Sequence, residues 1–335
     1  MNEYLVALVA VTVTFGAAWP LRHLALRYGI LDHPGPRKSQ GAPIPYLGGV
    51  AVVAGLGAGL VVGHPHFVRV FALMGVICAL GLFDDLWHAS VPTKLLAEGS
   101  VAAAAVGLGY GWQITDSMPL NAVVSVLWIV GLSNAFNLLD NMDGLSSTAA
   151  ALPLIAFGVI APSATTPLAL ALAAALVGFL LINRPPARMY LGDAGSLTIG
   201  FGVALVSIAA ANTERGLHSV VLLAGPVSLA LFDTSLVIVS RLMNGRPIQL
   251  GGRDHFSHRL LLLGWSPYTI LLATVAASAM SGLITYLASS YPLNMAWLAL
   301  PLAAAYGVAW LRLLRVDPYS SATEYRPEVL RAQNL

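Results

Sequence analysis

Twelve residues, Asn134–Leu145 (NAFNLLDNMDGL), set Asn137, Asp140, Asn141 and Asp143 at the end of an apolar run that begins near Leu120. Asn137 and Asp140 are three apart, as are Asp140 and Asp143, so on a helix their side chains follow one slowly winding face. Carboxylates at the mouth of a bilayer are costly unless they are wet, paired or bound to a cation. A solvated helix end, capped by Asn and Asp and stopped by Gly144, accounts for one acid. It does not call for four polar groups so close together.

Other stretches offer partners. GLFDDLWHAS carries adjacent Asp84 and Asp85, with Trp87 and His88 suited to an interface belt and Lys94 opening the next helix. Paired carboxylates there can hold a divalent cation or take a proton; the competing reading is a hydrated turn with an aromatic anchor. In LINRPPARMYLGDAGSLTIGFG, Asp193 lies between Gly192 and Gly195 just before a helix, with Ser196 following. Free N–H groups at a helix start favour phosphate, although an ordinary Asp or Ser cap reads the same way.

A basic counterpart follows in GRPIQLGGRDHFSHRLLLLGWS, where His255 and His258 are three apart and Arg253 and Arg259 flank them. Two guanidinium groups and two imidazoles make a phosphate grip. Zinc is the weaker reading, since the loop has no Cys and Asp254 is an awkward third ligand. The loop LDHPGPRKSQGAPIPYLGG, with Arg37 and Lys38, serves equally as a stiff connection or a ligand-binding loop. Asp233, well inside an apolar run, is a functional candidate or a structural pair. Asp84, Asp85, Asp140, Asp143 and Asp193 thus face the basic loop across one surface. Carboxylates with Asn suit Mg²⁺, with Mn²⁺ as the alternative, and the basic groups suit phosphate. The chemistry this implies is metal-assisted phosphoryl transfer at a membrane face, where positioning and charge neutralisation do most of the work.

The elements that must hold these groups are membrane spans. The 335 residues are 57% hydrophobic and 10% charged, with mean hydropathy +0.77, against about 25% charged in soluble domains. That makes the chain an all-α polytopic integral membrane protein: one membrane domain over 1–316 and a polar, loose cytoplasmic tail over 317–335. A net charge of +2 is too small to argue for nucleic acid. The single cysteine, Cys78, excludes an intrachain disulfide and reads as a small buried apolar residue. Eleven spans are expected, at 4–26, 46–63, 67–84, 94–112, 119–137, 146–161, 165–183, 196–212, 218–243, 267–289 and 293–314. Glu3 ahead of the first span, with Arg22 and Arg27 at its far end, fits a retained helix with its amino end outside. This threading leaves Arg69 and Arg215 outside and the other fifteen of the seventeen Lys and Arg residues inside. The carboxyl end is then cytoplasmic, and so are all the segments that carry chemistry.

Those segments, in this order, resemble the polyprenyl-phosphate N-acetylhexosamine-1-phosphate transferases of glycosyltransferase family 4. FDDLWHAS is similar to the family's Asp-Asp motif, NAFNLLDNMDGL to its Asn-x-x-Asp-Gly-x-Asp-Gly motif, NRPPARMYLGDAGSL to its Gly-Asp-x-Gly-Ser motif and GRDHFSHRL to its His-rich motif. HPGPRKSQGAPIPYLGG also resembles the family's first loop, so the likeness spans roughly residues 30 to 265. The resemblance implies transfer of a sugar-1-phosphate from a UDP-N-acetylhexosamine to undecaprenyl or another polyprenyl phosphate, with release of UMP and Mg²⁺ as cofactor. It assigns Asp84 to assist or deprotonate the lipid phosphate, Asp85 to shape the metal site, and Asp193 with Asn137 to hold Mg²⁺. Asp140 would support that site, and Asp143 with Asn183 would lie towards the nucleotide. His255, His258 and Arg259, flanked by Arg253, would face the phosphates or the sugar, and Lys38 is the nearest match to a first-loop lysine. Three departures stand out: Asn141 for Gly, Ser257 for His, and Ser39 with Gln40 where the lysine is displaced.

The histidine loop differs from the triple-His run of the peptidoglycan-precursor branch. The expected branch is therefore the one that starts O-antigen (lipopolysaccharide) or teichoic-acid-like glycans, with UDP-N-acetylglucosamine as donor. Phospho-N-acetylmuramoyl-pentapeptide transfer is the alternative. The expected partners are polyprenyl phosphate, a UDP-amino sugar and membrane lipids, with a homodimer as a further candidate, in a bacterial inner membrane. A secondary transporter of an anionic substrate is the rival from another class, but it would place its charges near the midplane and show repeats.

Overall fold

The computed structural model describes residues 3–33, 42–63, 67–162, 164–249, 251–290 and 295–319. Lys38, Ser39 and Gln40 lie outside the described residues, as does the tail beyond Tyr319. Each predicted apolar stretch is helical: α1 (Glu3–Tyr28), α2 (Gly48–Gly63), α3 (Val68–Trp87), α4 (Val91–Gly107), α5 (Met118–Leu139), α6 (Leu145–Ile160), α7 (Thr166–Asn183) and α8 (Gly192–Ala211). The ninth stretch is broken into α9 (Gly216–Ala224) and α10 (Ser228–Met243), which meet at 82°. A short α11 (Phe256–Leu262) precedes α12 (Pro267–Ser290) and α13 (Met295–Leu314).

Six of these helices are long and apolar enough to cross a bilayer, or seven if the bent pair counts as one span. Among the described residues, length and hydropathy thus identify fewer than the eleven spans expected, and that count and the orientation stay expectations. The reason is geometric: α2 and α6 have 16 residues each and α4 has 17, below the roughly 20 that a 30 Å core requires.

The bundle is organised around α8. Its most apolar stretch is 94% buried, and it packs against α2, α3, α5, α6 and α9. Lipid offers no hydrophobic force to join helices, so close backbone approach through small residues does that work. A Cβ at Gly200 would lie 2.5 Å from the Cα of Ser133 on α5, inside contact distance. The periphery is the inverse: α1 turns Tyr4, Leu8 and Phe15 outward, as a lipid-facing helix does.

A two-stranded antiparallel ribbon, β1 (Leu31–Asp32) with β2 (Ile44–Pro45), leads into α2. It fixes the segment ahead of α8: the Tyr190 amide donates to Pro45 O (2.7 Å), and Gly48 and Gly49 donate to Tyr190 O and Leu191 O (3.0 and 2.9 Å). The ends of α3, α5 and α7 and the starts of α4, α6 and α8 thereby collect at one end of the bundle.

Candidate active site

The start of α8 is held from across the molecule. Asp85, in the last turn of α3, accepts from the Asp193 amide (2.9 Å, Oδ1) and the Ala194 amide (3.2 Å, Oδ2). It therefore caps a distant helix, the use to which a carboxylate near orphan N–H groups is best suited. Gly192 makes this approach feasible. Its φ is +72°, and a Cβ there would meet Asp85 Oδ2 at 2.7 Å, so no other residue fits without strain.

Capping leaves the Asp193 carboxylate facing Asp84 and Lys94. Lys94 Nζ lies 2.9 Å from Asp84 Oδ2 and 2.5 Å from Asp193 Oδ2. Asp84 Oδ1 also accepts from the Ala89 amide (2.8 Å), which closes the turn between α3 and α4. Asn137, at the end of α5, donates from Nδ2 to Asp193 Oδ1 (2.7 Å) and Ser196 Oγ (2.9 Å). Four helices thus converge on one pair of carboxylates bridged by one ammonium. Sequence spacing assigns Lys94 no role in the site; its position ten residues after Asp84, across a tight turn, is the signal that could have found it.

Beside this cluster a cavity of about 100 Å³ is walled by Leu80, Phe83 and Leu197 and floored by Asp84, Lys94 and Glu98. Glu98 is 2% exposed and takes a hydrogen bond from Asn134. Its other oxygen is buried with no partner among the described residues. Sequence reasoning missed Glu98 as well, although the signal that singles out Asp233, an acid within an apolar run, applies to it equally.

Asp140, which caps α5, is half-buried. Burial and the charges of Asp193, Asp85 and Asp143 push its carboxyl up to about 8. Asp143 is also raised by burial, against the pull of the Ala187 amide that it accepts (2.8 Å). Asn183 is placed differently from the expectation that it lies towards a nucleotide. It is 3% exposed, accepting from the Gly144 amide and donating to Met189 O (both 2.9 Å). It fastens the α5–α6 turn to the segment before α8.

The histidine loop also differs from a simple basic grip. His255 precedes α11 and is buried; its Nδ1 lies 2.8 Å from Asp233 Oδ2, while Asp233 Oδ1 accepts the Phe256 amide (2.8 Å). The intramembrane Asp233 therefore orients the ring and caps α11, with its structural pair now named. The His258 ring lies tilted against that of His255, 5.8 Å away, and its Nδ1 is buried with no partner among the described residues. Burial, with His255 and Arg253 nearby, pushes it down to about 3, so the ring is uncharged at neutral pH. Arg253 sits half-buried at the start of this loop.

Arg259 corrects the expectation that it faces the phosphates. It is wholly buried: Nε donates to Asp254 O (2.8 Å), Nη2 to Ser240 Oγ (2.6 Å), and Nη1 to Leu313 O (2.9 Å) and Val316 O (2.5 Å). Four of a guanidinium's five donors are committed to the protein, and they tie α11 to the end of α13.

No group of three or more His, Cys, Asp or Glu side chains that could hold a metal occurs among the described residues. Magnesium takes one or two carboxylates and keeps its remaining positions for water and phosphate. Asp84, Asp193 and Asn137 offer oxygens of the right hardness at the place Lys94 Nζ now neutralises.

Residues 67–211 match the family described as Glycosyl transferase family 4. A Bacillus subtilis protein named "Probable undecaprenyl-phosphate N-acetylglucosaminyl 1-phosphate transferase" is 30% identical over 284 residues, 79% of either chain. A Streptomyces coelicolor relative, whose name says only glycosyltransferase, is 35% identical across 93% of this chain and 76% of its own. A decaprenyl-phosphate N-acetylglucosaminephosphotransferase of Mycolicibacterium smegmatis is 29% identical across 78% of this chain and 76% of its own. The chain belongs to glycosyl transferase family 4 and to its polyprenyl-phosphate hexosamine-1-phosphate transferases.

Proposed function

We propose that the protein transfers N-acetylglucosamine-1-phosphate from UDP-N-acetylglucosamine to a polyprenyl phosphate, undecaprenyl or decaprenyl, at the cytoplasmic face of a bacterial inner membrane. The observation that carries this reading is the Asp84–Lys94–Asp193 bridge set on a capped helix start. It sets one ammonium between two carboxylates at the end of the bundle, a charge arrangement suited to phosphate groups and a divalent cation. Relatives named for both polyprenyl lengths support the acceptor class, and the positive-inside charge pattern supports the orientation.

In this reading an oxygen of the lipid phosphate attacks the sugar-linked phosphorus. A new P–O bond forms, the bond to the bridging oxygen breaks, and UMP leaves with that oxygen. Asp84 lies where the lipid phosphate enters and takes its proton if it arrives protonated. Lys94 neutralises charge that accumulates on the phosphoryl oxygens. His255, oriented by Asp233, and the uncharged His258 line the donor side together with Asp143. Magnesium would be held by Asp193, Asp84 and Asn137, and would supply further neutralisation of the diphosphate.

The test is direct. Purified protein given UDP-N-acetylglucosamine, polyprenyl phosphate and Mg²⁺ should release UMP, and Asp193→Asn should abolish release while the fold is retained. Full activity in that variant overturns the assignment, and a panel of UDP-sugars identifies the donor.

A further inference from the structure

The two positions at which the Asn134–Leu145 and histidine motifs depart from the family pattern are in contact. Ser257 Oγ donates to Asn141 Oδ1 at 2.5 Å, across 116 residues of sequence. The amide's other end is also used, since Asn141 Nδ2 donates to Leu138 O (2.9 Å), one of the carbonyls freed at the end of α5. Ser257 is wholly buried, so its hydroxyl has no water to return to if Asn141 is lost.

Placement gives the bond its consequence. Asn141 stands between Asp140 and Asp143 on the acidic turn. Ser257 stands between His255 and His258 on α11, whose other anchors run to α10 and α13 through Asp233 and Arg259. Neither of those anchors fixes α11 against the acidic turn. The Asn141–Ser257 bond does.

We infer that Asn141 and Ser257 are paired positioning residues, a clasp that sets the spacing between the histidine helix and the carboxylate turn and so tunes the fit of the nucleotide-sugar diphosphate. Neither touches the reacting atoms. The chemistry suits that role: a hydroxyl and a carboxamide, both uncharged, hold a fixed distance without altering the charge balance of the site. In this chain the pair does what a glycine and a histidine at these two positions could not do by the same bond.

This inference rests on the proposed transferase reading for its kinetic arm only. Asn141→Ala, Ser257→Ala and the double variant are compared in the full-length protein. For Ser257→Ala, the KM for UDP-N-acetylglucosamine should rise about fivefold while the KM for polyprenyl phosphate stays put. The double variant should be no weaker than Asn141→Ala alone, because each single change already breaks the shared bond. Hydrogen exchange reads the clasp without any substrate: amides in 140–145 and 256–262 should exchange severalfold faster in either variant. Unchanged exchange, equal rises in both KM values, or effects that multiply in the double variant would each overturn the clasp. If wild-type protein releases no UMP from any UDP-sugar, the transferase reading fails, and hydrogen exchange still decides the clasp.

Discussion

Two charged regions lie at the same end of the bundle and use similar residues in opposite ways. Around Arg241 every charge is matched. Its Nε and Nη2 grip Asp254 in a fork (2.7 and 2.8 Å), Nη1 donates to Ile248 O (2.6 Å), and Tyr319 adds a third bond to Asp254 (2.6 Å). Arg241 and Asp254 are 2% and 1% exposed. Around Lys94 the charges are outnumbered and wetter: one ammonium serves two carboxylates, and the Asp193 side chain is 31% exposed. In the first, guanidinium and carboxylate satisfy one another and are shut away from water. The second leaves carboxylate oxygens to be satisfied by something that arrives. Completeness marks the joint, and incompleteness marks the site.

The sharpest way to break this contrast is Lys94→Met. Catalysis should fall about 100-fold, the scale of losing one preorganised electrostatic partner, with little change in thermal midpoint. A variant as active as wild type would remove Lys94 from the site. Arg241→Met should do the reverse. It leaves Asp254 buried and unpaired, which costs about 3–5 kcal/mol and is readable as a drop in thermal midpoint. UMP release per folded molecule should stay near wild type.

Next in size are two opposite pH limits. Asp254 is held down to about 2, with Arg241 and Tyr319 outweighing its burial. Its folded pKa lies below the unfolded value, so its stabilisation is present above about pH 4 and is lost as pH falls through 2. That is worth roughly 2 kcal/mol, and Asp254→Asn should lack the acid-dependent loss. Asp140, raised to about 8, behaves in the other direction. Its contribution is fully present below about pH 4 and disappears as pH rises through 8. The wild-type thermal midpoint should fall between about pH 4 and pH 8 and level off above, and Asp140→Asn should flatten that limb. The smallest effect belongs to Tyr319→Phe, about 1 kcal/mol for one lost bond to a carboxylate. It also tests the docking of residues 317–319, which contrasts with the loose tail expected from their polarity: Tyr319 stacks under Arg246 at 4.0 Å.

Composition and periodicity determined much of this protein. Apolar runs identify where the helices are, because a bilayer demands long stretches of one kind of side chain and internally satisfied backbone. The acids Asp84, Asp85, Asp140, Asp143 and Asp193 were legible as one surface, since charge is rare enough in such a chain to stand out. Tertiary structure decided how each is used. Asp85 became a helix cap, Arg259 an anchor and Asn183 a fastener, while Lys94 and Glu98 joined the site. Partners separated by 99 or 116 residues leave no trace in local spacing, and a charge buried beside a matched neighbour reads in sequence like one that waits for substrate. Only the packed ends of α3, α4, α5 and α8 show which is which.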